Sequence, residues 1–240
     1  MPRDNYVPHG FFRSVEILAV LATGVARFVV AEWLELDLFF IVCAIAFWIG
    51  FVLLRTRSED GVLRRWGFTW RWNPSQSRIL FPYFAGVLIA CVLWYCFVEP
   101  AFVFGSTEGS AAPGGTAAAT INLGNFLATF LLYPFWGVVQ QFIVVAMIAG
   151  NIGIIVKRAD LRGAIAVVAT GIVFALAHLP HPGLVALGFV LGSVATSTYL
   201  RWRNLWIIGL FHGWVATFFY YFVLRQDPWE TIVALAESPW

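Results

Sequence analysis

The sequence contains few charged residues for its length. Asp, Glu, Lys and Arg make up 12% of its 240 residues, whereas soluble domains carry about 25%. Because a soluble chain of this size could not bury so much apolar surface, a soluble globular enzyme is excluded. Disordered chains are rich in charge and poor in hydrophobic residues, so they are excluded as well. The formal net charge of +2 gives no indication of a nucleic-acid partner.

Cysteine is also scarce. The three cysteines are Cys43, Cys91 and Cys96, and no two of them form a C-x-x-C pair. All three fall in apolar stretches. We therefore expect free thiols that pack among hydrophobic side chains, rather than a disulfide framework or a thiolate metal site.

Long apolar runs dominate the sequence. Hydrophobic residues make up 60% of the chain, and the mean hydropathy is +0.80. A transmembrane helix needs about 20 predominantly apolar residues. Seven stretches approach this length, at about 14–31, 36–54, 79–98, 121–149, 164–179, 184–200 and 205–224. The sequence therefore predicts an all-α, polytopic membrane bundle of about seven transmembrane helices, forming a single membrane domain over residues 1–240.

Two of these stretches are irregular. The first carries Glu16 and Arg27, whose charges are costly in lipid. The fourth contains Pro134, which predicts either a kink or a first part that lies outside the membrane.

Basic residues alternate from one connecting segment to the next. Of the 15 Lys and Arg residues, 13 lie before the first stretch or in the segments that follow the second, fourth and sixth stretches. The other two are Arg27 and Arg225. The positive-inside rule then predicts a cytoplasmic N-terminus and an external C-terminus. The Gly-, Ala-, Ser- and Thr-rich segment 99–120 is typical of a flexible linker, here external. Residues 1–120 thus comprise the N-terminal helices and this linker.

Polar side chains inside the membrane are candidates for function because each costs free energy there. Gln140 and Gln141 lie in the fourth stretch, His178 near the end of the fifth, His181 in the following turn, and His212 in the seventh. Taken singly, each could simply bond a neighbouring helix. Together they form a denser polar set than packing usually needs, which indicates a site.

Two kinds of chemistry are open to this set. In one, His178 and His212 polarise a water molecule while the glutamine amides orient a substrate. In the other, His178, His181 and His212 ligate a divalent metal such as Zn²⁺ through neutral imidazoles. Counting along the helices places His178 near the outer end of its stretch. Gln140 and His212 lie a third to half of the way from the cytoplasmic face, which leaves a mismatch in depth.

The order of these residues resembles the CPBP intramembrane proteases, which include the type II CAAX prenyl proteases and the bacteriocin-processing and self-immunity proteins. That family carries a Glu-Glu motif, a Phe-x-x-x-His motif and a final His motif on separate helices. Phe174 and His178 match the second motif, His212 begins the third, and Gln140–Gln141 occupies the place of the first. The resemblance covers about residues 121–224, the motif-bearing core.

The resemblance implies an intramembrane endopeptidase that processes a membrane-associated peptide or protein. It also implies an integral membrane protein of a bacterial or archaeal inner membrane, with the lipid bilayer as its surroundings. The implied catalytic positions are Gln140, Gln141, His178 and His212. The implied supporting or substrate-binding positions are Phe174, His181 and Asn204. No cofactor is implied beyond the metal considered above, whose ligands would include His178 and His212.

The sequence departs from the family pattern at four positions. Both motif glutamates are glutamines, Val145 stands at the motif arginine, and Ala216 stands at the asparagine of the last motif. A glutamine amide cannot take a proton from water. A neutral imidazole, with an ordinary pKa of about 6.5, can do so. His178 is therefore the expected base, and a glutamate restored at position 140 is expected to raise the rate.

Several functions remain open at this point. The glutamines fit a divergent protease, a catalytically degenerate scaffold that binds a membrane partner without hydrolysis, or an inactivated variant. The two further departures, Val145 and Ala216, argue against the last. A small transporter or channel is a further alternative, but it predicts a polar track across several helices. The sequence shows a local cluster instead.

Overall fold

The computed structural model describes residues 9–34, 36–69, 73–97, 121–156, 158–179, 182–230 and 233. Helices account for nearly all of this part of the chain, and no strand occurs in it. The predicted all-α membrane bundle is thereby confirmed. The helices are α1 (His9–Ala26), α2 (Asp37–Ser58), α3 (Val62–Arg65), α4 (Pro74–Phe97), α5 (Leu123–Gln141), α6 (Gly150–Ile155), α7 (Ala159–Leu176), α8 (Pro182–Trp202) and α9 (Leu205–Phe218).

Three of these helices continue as π-helical segments. Arg27–Trp33 extends α1, Phe142–Ala149 joins α5 to α6, and Phe219–Leu224 extends α9. The middle segment makes Leu123–Ile155 one rod of 33 residues. At 1.5 Å per residue this rod is about 49 Å long, more than the roughly 30 Å of a hydrocarbon core. Short π-helical insertions occur often at functional sites.

Helices are present at all seven predicted stretches, and five of them are long and apolar enough to cross a membrane within the described residues. These five are Asp37–Ser58, Pro74–Phe97, Leu123–Ile155, Gly183–Trp202 and Leu205–Leu224. The apolar part of α7, Leu161–Leu176, is shorter, and the apolar run of the continuous helix α1 is interrupted by the charge of Glu16. The orientation and the full count of seven crossings stay predictions, and segment 99–120 lies outside the described residues.

A buried ion cluster ties the N-terminal helices to the rod. The Glu16 carboxylate accepts hydrogen bonds from Arg55 at 3.1 Å, Arg65 at 2.8 Å and Asn151 at 2.7 Å. Glu59 completes the cluster by accepting from both arginines. Burial alone would lower the pKa of Arg65, but the hydrogen bond and charge of Glu16, assisted by Glu59, raise it. Sequence reasoning assigned these arginines to topology alone, whereas the structure also gives them a packing role.

The centre of the bundle is the π-helical segment after α5. Its residues Val145, Met147 and Ala149 are fully buried, and α1, α7 and α8 pack around it. Val145 is the position where the family motif has arginine. A guanidinium at this apolar position would be buried without water, so the valine suits the packing that the structure shows.

Candidate active site

Helices α5 and α9 approach each other closely through glycines. A Cβ atom built on Gly209 would lie 2.5 Å from Val138 Cα, and one built on Gly213 would lie 2.5 Å from Pro134 N. Gly137 faces Gly209 and Gly213 in the same way. Gly209 and Gly213 form a G-x-x-x-G pattern, the small-residue spacing that lets membrane helices pack backbone to backbone. His212 stands within this pattern, so its side chain is carried directly onto α5.

Pro134 lies inside α5, and the helix continues through it from Leu123 to Gln141. A proline cannot donate to the carbonyl four residues earlier, which is that of Phe130. The indole Nε1–H of Trp214 donates to this carbonyl at 3.2 Å instead. Because α9 supplies the missing hydrogen bond, the predicted irregularity at Pro134 becomes a second attachment between α5 and α9.

These contacts place Gln140 beside His212. The imidazole Nε2–H of His212 donates to Gln140 Oε1 at 2.8 Å. A glutamine whose oxygen is fixed in this way has a fixed amide plane, so its NH₂ group points in a defined direction. Side chains at the positions of the first and third motifs are therefore in direct contact.

His178 lies just beyond the end of α7. Its backbone N–H donates to Ala175, which leaves the Phe174 carbonyl without its usual helical partner. His178 Nδ1–H donates to that carbonyl at 2.7 Å. A histidine held through Nδ1–H is the tautomer with an unprotonated Nε2. This hydrogen bond caps the helix and also leaves a basic nitrogen available.

Phe174 connects the two histidines. Its ring is buried, 5.1 Å from the His178 ring centroid and 5.2 Å from that of His212. A second G-x-x-x-G pattern, Gly188 and Gly192 on α8, allows this placement. A Cβ at Gly192 would lie 2.9 Å from Phe174 Cβ, and one at Gly188 would lie 3.2 Å from His178 Nδ1.

The three polar side chains line one cavity of about 50 Å³, which we call the histidine cavity. Its wall includes Tyr133, Gln140, Phe174, His178, His212 and Tyr220. A cavity needs about 10–15 Å³ of such volume to accommodate one water molecule, so this one has room for a few. Because His178 lines the same cavity as Gln140 and His212, the three side chains lie at one level and the expected mismatch in depth disappears.

Gln141 does not share this cavity. It is 1% exposed and lines a second cavity, also of about 50 Å³, on the other side of His212. The two adjacent glutamines, which the sequence treats as a pair, therefore face different surroundings. Successive helical residues point about 100° apart, so this separation follows from the helix itself.

The two remaining candidate residues, Asn204 and His181, are not found in the wall of the histidine cavity as the structure describes it. Asn204 is the N-cap of α9, where its side chain accepts from Trp206 N–H at 3.0 Å. Its backbone carbonyl accepts from Gln76, and it does not line the histidine cavity. Its role is thus to fix the start of the helix that carries His212. His181 lies outside the described residues.

Metal binding is not supported by the donors that the structure describes. No group of three or more His, Cys, Asp or Glu side chains gathers there to hold an ion, and a zinc site needs at least three protein ligands. Nδ1 of His178 and Nε2 of His212 are already engaged in hydrogen bonds. The proposed Zn²⁺ therefore stays a prediction that would require His181.

The wall of the histidine cavity also contains two tyrosines that no sequence motif indicates. Tyr133 and Tyr220 line it together with Ala216, and their rings lie 6.1 Å apart. Ala216 has no side-chain donor, whereas a phenol hydroxyl supplies one. The helical spacing of the sequence could have indicated Tyr220, because it lies one turn from Ala216 and two turns from His212 on the same helix face.

Together the fold and this site define a polytopic helical membrane protein with a polar cavity enclosed between α5, α7, α8 and α9. Residues 122–218 match the family model described as type II CAAX prenyl endopeptidase Rce1-like. This match confirms the resemblance to the CPBP family that the motifs indicate. No curated protein and no solved structure matches the chain.

Proposed function

We propose that the protein is an intramembrane endopeptidase that hydrolyses a peptide bond in a membrane-associated peptide or protein. The observation that carries this proposal is the hydrogen bond from His178 Nδ1–H to the Phe174 carbonyl. It leaves His178 Nε2 as an unprotonated nitrogen beside the Gln140–His212 pair. The family match over residues 122–218 supports the same class of reaction.

His178 takes the role of general base. In the proposed reaction a water molecule in the histidine cavity gives a proton to His178 Nε2, and its oxygen attacks the carbonyl carbon of the substrate. The carbon–nitrogen bond then breaks, and the proton returns from His178 to the leaving amine. The products are a carboxylic acid and an amine, so no other reactant is needed. A positioned base of this kind contributes about 10²–10⁴ in rate.

Gln140 takes the role of oxyanion donor. Its Oε1 accepts from His212, so its NH₂ group is oriented and can donate to the oxygen that becomes negative during attack. Side-chain amides serve in this way in known oxyanion holes, where one donor contributes roughly 10²–10³ in rate. His212 is then a positioning residue that holds the amide. Tyr220, beside Ala216, can supply a second donor in place of the missing asparagine.

The test compares the peptide termini in native membranes from cells that express the wild-type chain or His178→Asn. Asparagine keeps a donor close to the position of Nδ1, so it can still cap Phe174, but it has no basic nitrogen. We expect fragments that appear with the wild type to be absent with His178→Asn, at equal melting temperature in detergent. His178→Ala, which loses the cap as well, separates stability from chemistry.

The same comparison tests the scaffold alternative. Gln140, Gln141 and Ala216 are the observations that favour a protein that binds without cutting, because they remove the family's usual base and one donor. Such a scaffold would give identical sets of termini for the two chains, and partners recovered with both. That result would contradict the proposed hydrolysis.

A further inference from the structure

A second cavity adjoins the site on the opposite side of His212. We call it the lateral cavity, and its wall includes Leu80, Tyr83, Gln141, Ala195, Phe211 and His212. Helices α4, α8 and α9 enclose it, and nearly all of its other lining residues are apolar. The lateral and histidine cavities share Leu191, His212 and Val215. A molecule that passes from one to the other must therefore pass His212.

Gln141 contributes an amide to this largely apolar wall. Its Oε1 is buried and has no hydrogen-bond partner in the structure. An unsatisfied buried acceptor costs about 1–3 kcal/mol, and such groups are rare in native proteins. The terminal torsion of a glutamine is soft, so a small rotation presents the oxygen to a donor in the cavity. The Gln141 oxygen is thus a hydrogen-bond acceptor to which no protein group donates.

The lateral cavity opens between two helices that hardly touch. Helix α4 packs against α9 and its π-helical extension but makes few contacts with α8, although both α4 and α8 line the cavity. Tyr83, in the wall contributed by α4, is 58% exposed. Because α4 and α8 are both helices long and apolar enough to span a membrane, the gap between them faces lipid.

We propose that the lateral cavity is a subsite for a peptide segment that enters from the bilayer, and that Gln141 accepts a hydrogen bond from its backbone N–H. The cavity would hold a small apolar side chain of that segment. This inference rests on the proposed function and names its substrate as membrane-embedded peptide. Gln141 is then a binding residue, separate in task from its neighbour Gln140.

Size and chemistry favour a peptide over a lipid chain. A cavity of about 50 Å³ is well below the 150 Å³ that holds benzene in a protein core, so it suits one small side chain. An isoprenoid or acyl chain offers no donor to Gln141, whereas every residue of a peptide except proline carries an N–H. An unwound peptide segment in lipid also needs acceptors for these groups.

The test uses photocrosslinking with the full-length protein in liposomes. In one variant a benzophenone amino acid replaces Tyr83, at the opening of the lateral cavity. In the control variant it replaces Phe81, an aromatic residue that is 61% exposed and points to another side of α4. The probe is a synthetic Leu/Ala transmembrane peptide. We expect several times more crosslinked peptide from position 83 than from position 81, with no competition by the isoprenoid alcohol farnesol.

Replacing the acceptor provides the second comparison. Gln141→Leu removes the oxygen at similar volume, and we expect crosslinking at position 83 to fall roughly 2–10-fold, the range for one net hydrogen bond. Ala195→Leu fills the cavity from α8 with Gln141 intact and should also reduce crosslinking. Melting temperatures in detergent show whether each variant is folded, and either variant alone suffices for the test.

The outcomes separate this inference from the proposed function. Equal crosslinking at positions 81 and 83, or displacement of the peptide by farnesol, would overturn the peptide subsite even if membranes show cleavage. Crosslinking that depends on Gln141 and persists in His178→Asn, with no cleavage by the wild type, would support the subsite and contradict the peptidase. Unchanged crosslinking in folded Gln141→Leu would exclude the hydrogen bond to Gln141, and unchanged crosslinking in folded Ala195→Leu would exclude the lateral cavity as the peptide's binding place.

Discussion

At the scale of single residues, the site depends on which atoms of Gln140 and His178 are already used. The Gln140 oxygen is taken by His212, and Nδ1 of His178 is taken by Phe174. What remains is an amide NH₂ group and a basic imidazole nitrogen in one cavity. A donor and a base are the two groups that hydrolysis of an amide needs. The residue types alone could not show which side chain is the base and which is the donor, because glutamine and neutral histidine can each donate and accept a hydrogen bond.

This geometry reverses one expectation for position 140. From the sequence, Gln140→Glu restores the family's base and should raise the rate. In the structure the carboxylate would still accept from His212, but it would have no N–H for the oxyanion and would add negative charge beside it. We therefore expect the rate of product formation in membranes to fall roughly 10²–10³-fold. Gln140→Met, which lacks both charge and donor, is the control and should lose less.

An increase in rate for Gln140→Glu would assign position 140 to the base, as the family resemblance implies. The protein would then be a peptidase with a different division of tasks from the one proposed. Equal rates in wild type, Gln140→Glu and Gln140→Met would exclude Gln140 from the reaction.

At the scale of helices, the site is built by two close contacts. Gly209 and Gly213 bring α9 onto α5, and Gly188 and Gly192 bring α8 onto Phe174 of α7. Each contact positions one histidine. Both G-x-x-x-G spacings are visible in the sequence, and such a spacing next to an intramembrane polar residue indicates a close helix contact.

We expect Gly209→Ala to destabilise the protein and displace His212 from Gln140. The new methyl group would meet the Val138 backbone, which cannot rotate away, and overpacking of this kind costs about 1–3 kcal/mol. The measurement is the melting temperature in detergent, together with product formation in membranes. Gly86→Ala on α4 is the matched control, because nothing lies within 4 Å of the added Cβ. Similar losses from both changes would contradict a specific contact between α5 and α9.

The sequence predicted the helices well because hydropathy is a local property. Apolar runs of about 20 residues marked α2, α4, α5, α8 and α9, and the family motifs indicated that Gln140 would meet His212. Other features depend on contacts between distant segments. The capping of Phe130 by Trp214 spans 84 residues, and the pairing of Arg65 with Glu16 spans 49. Counting residues along one stretch could not place His178 level with Gln140 and His212, because that depends on how α7 packs against the other helices.

At the scale of the whole molecule, the ion cluster around Glu16 attaches the N-terminal helices to the core that carries the site. Its members come from α1, α2, α3 and α6, and Asn151 belongs to the same rod as Gln140. By helix rise, Gln140 lies about 16 Å from Asn151 along this rod. The cluster therefore fixes the rod on the side where the basic residues accumulate, and the polar site lies deeper within the apolar part.

Breaking the cluster should loosen this attachment. Arg55→Gln removes a cationic partner of the buried Glu16 carboxylate, while Arg65 and Asn151 stay bonded to it. We therefore expect a loss of stability below the roughly 3–5 kcal/mol that follows when a buried charge is left without a partner, but above about 1 kcal/mol, the net value of one hydrogen bond. Arg57→Gln, two residues along on the same helix and exposed, is the matched control and should change stability by less than about 0.5 kcal/mol. Chemical denaturation in detergent measures both. Equal, small effects would show that the cluster adds nothing to the fold.

The central claim, that His178 supplies the base for hydrolysis, is tested most directly by chemical rescue of His178→Ala. Imidazole is added to membranes that contain this variant, and one fragment produced by the wild type is quantified. We expect little fragment without imidazole. With imidazole we expect recovery at the same bond, increasing with the neutral form of the added base. Full production of the fragment by His178→Ala without imidazole would show that His178 is not the base.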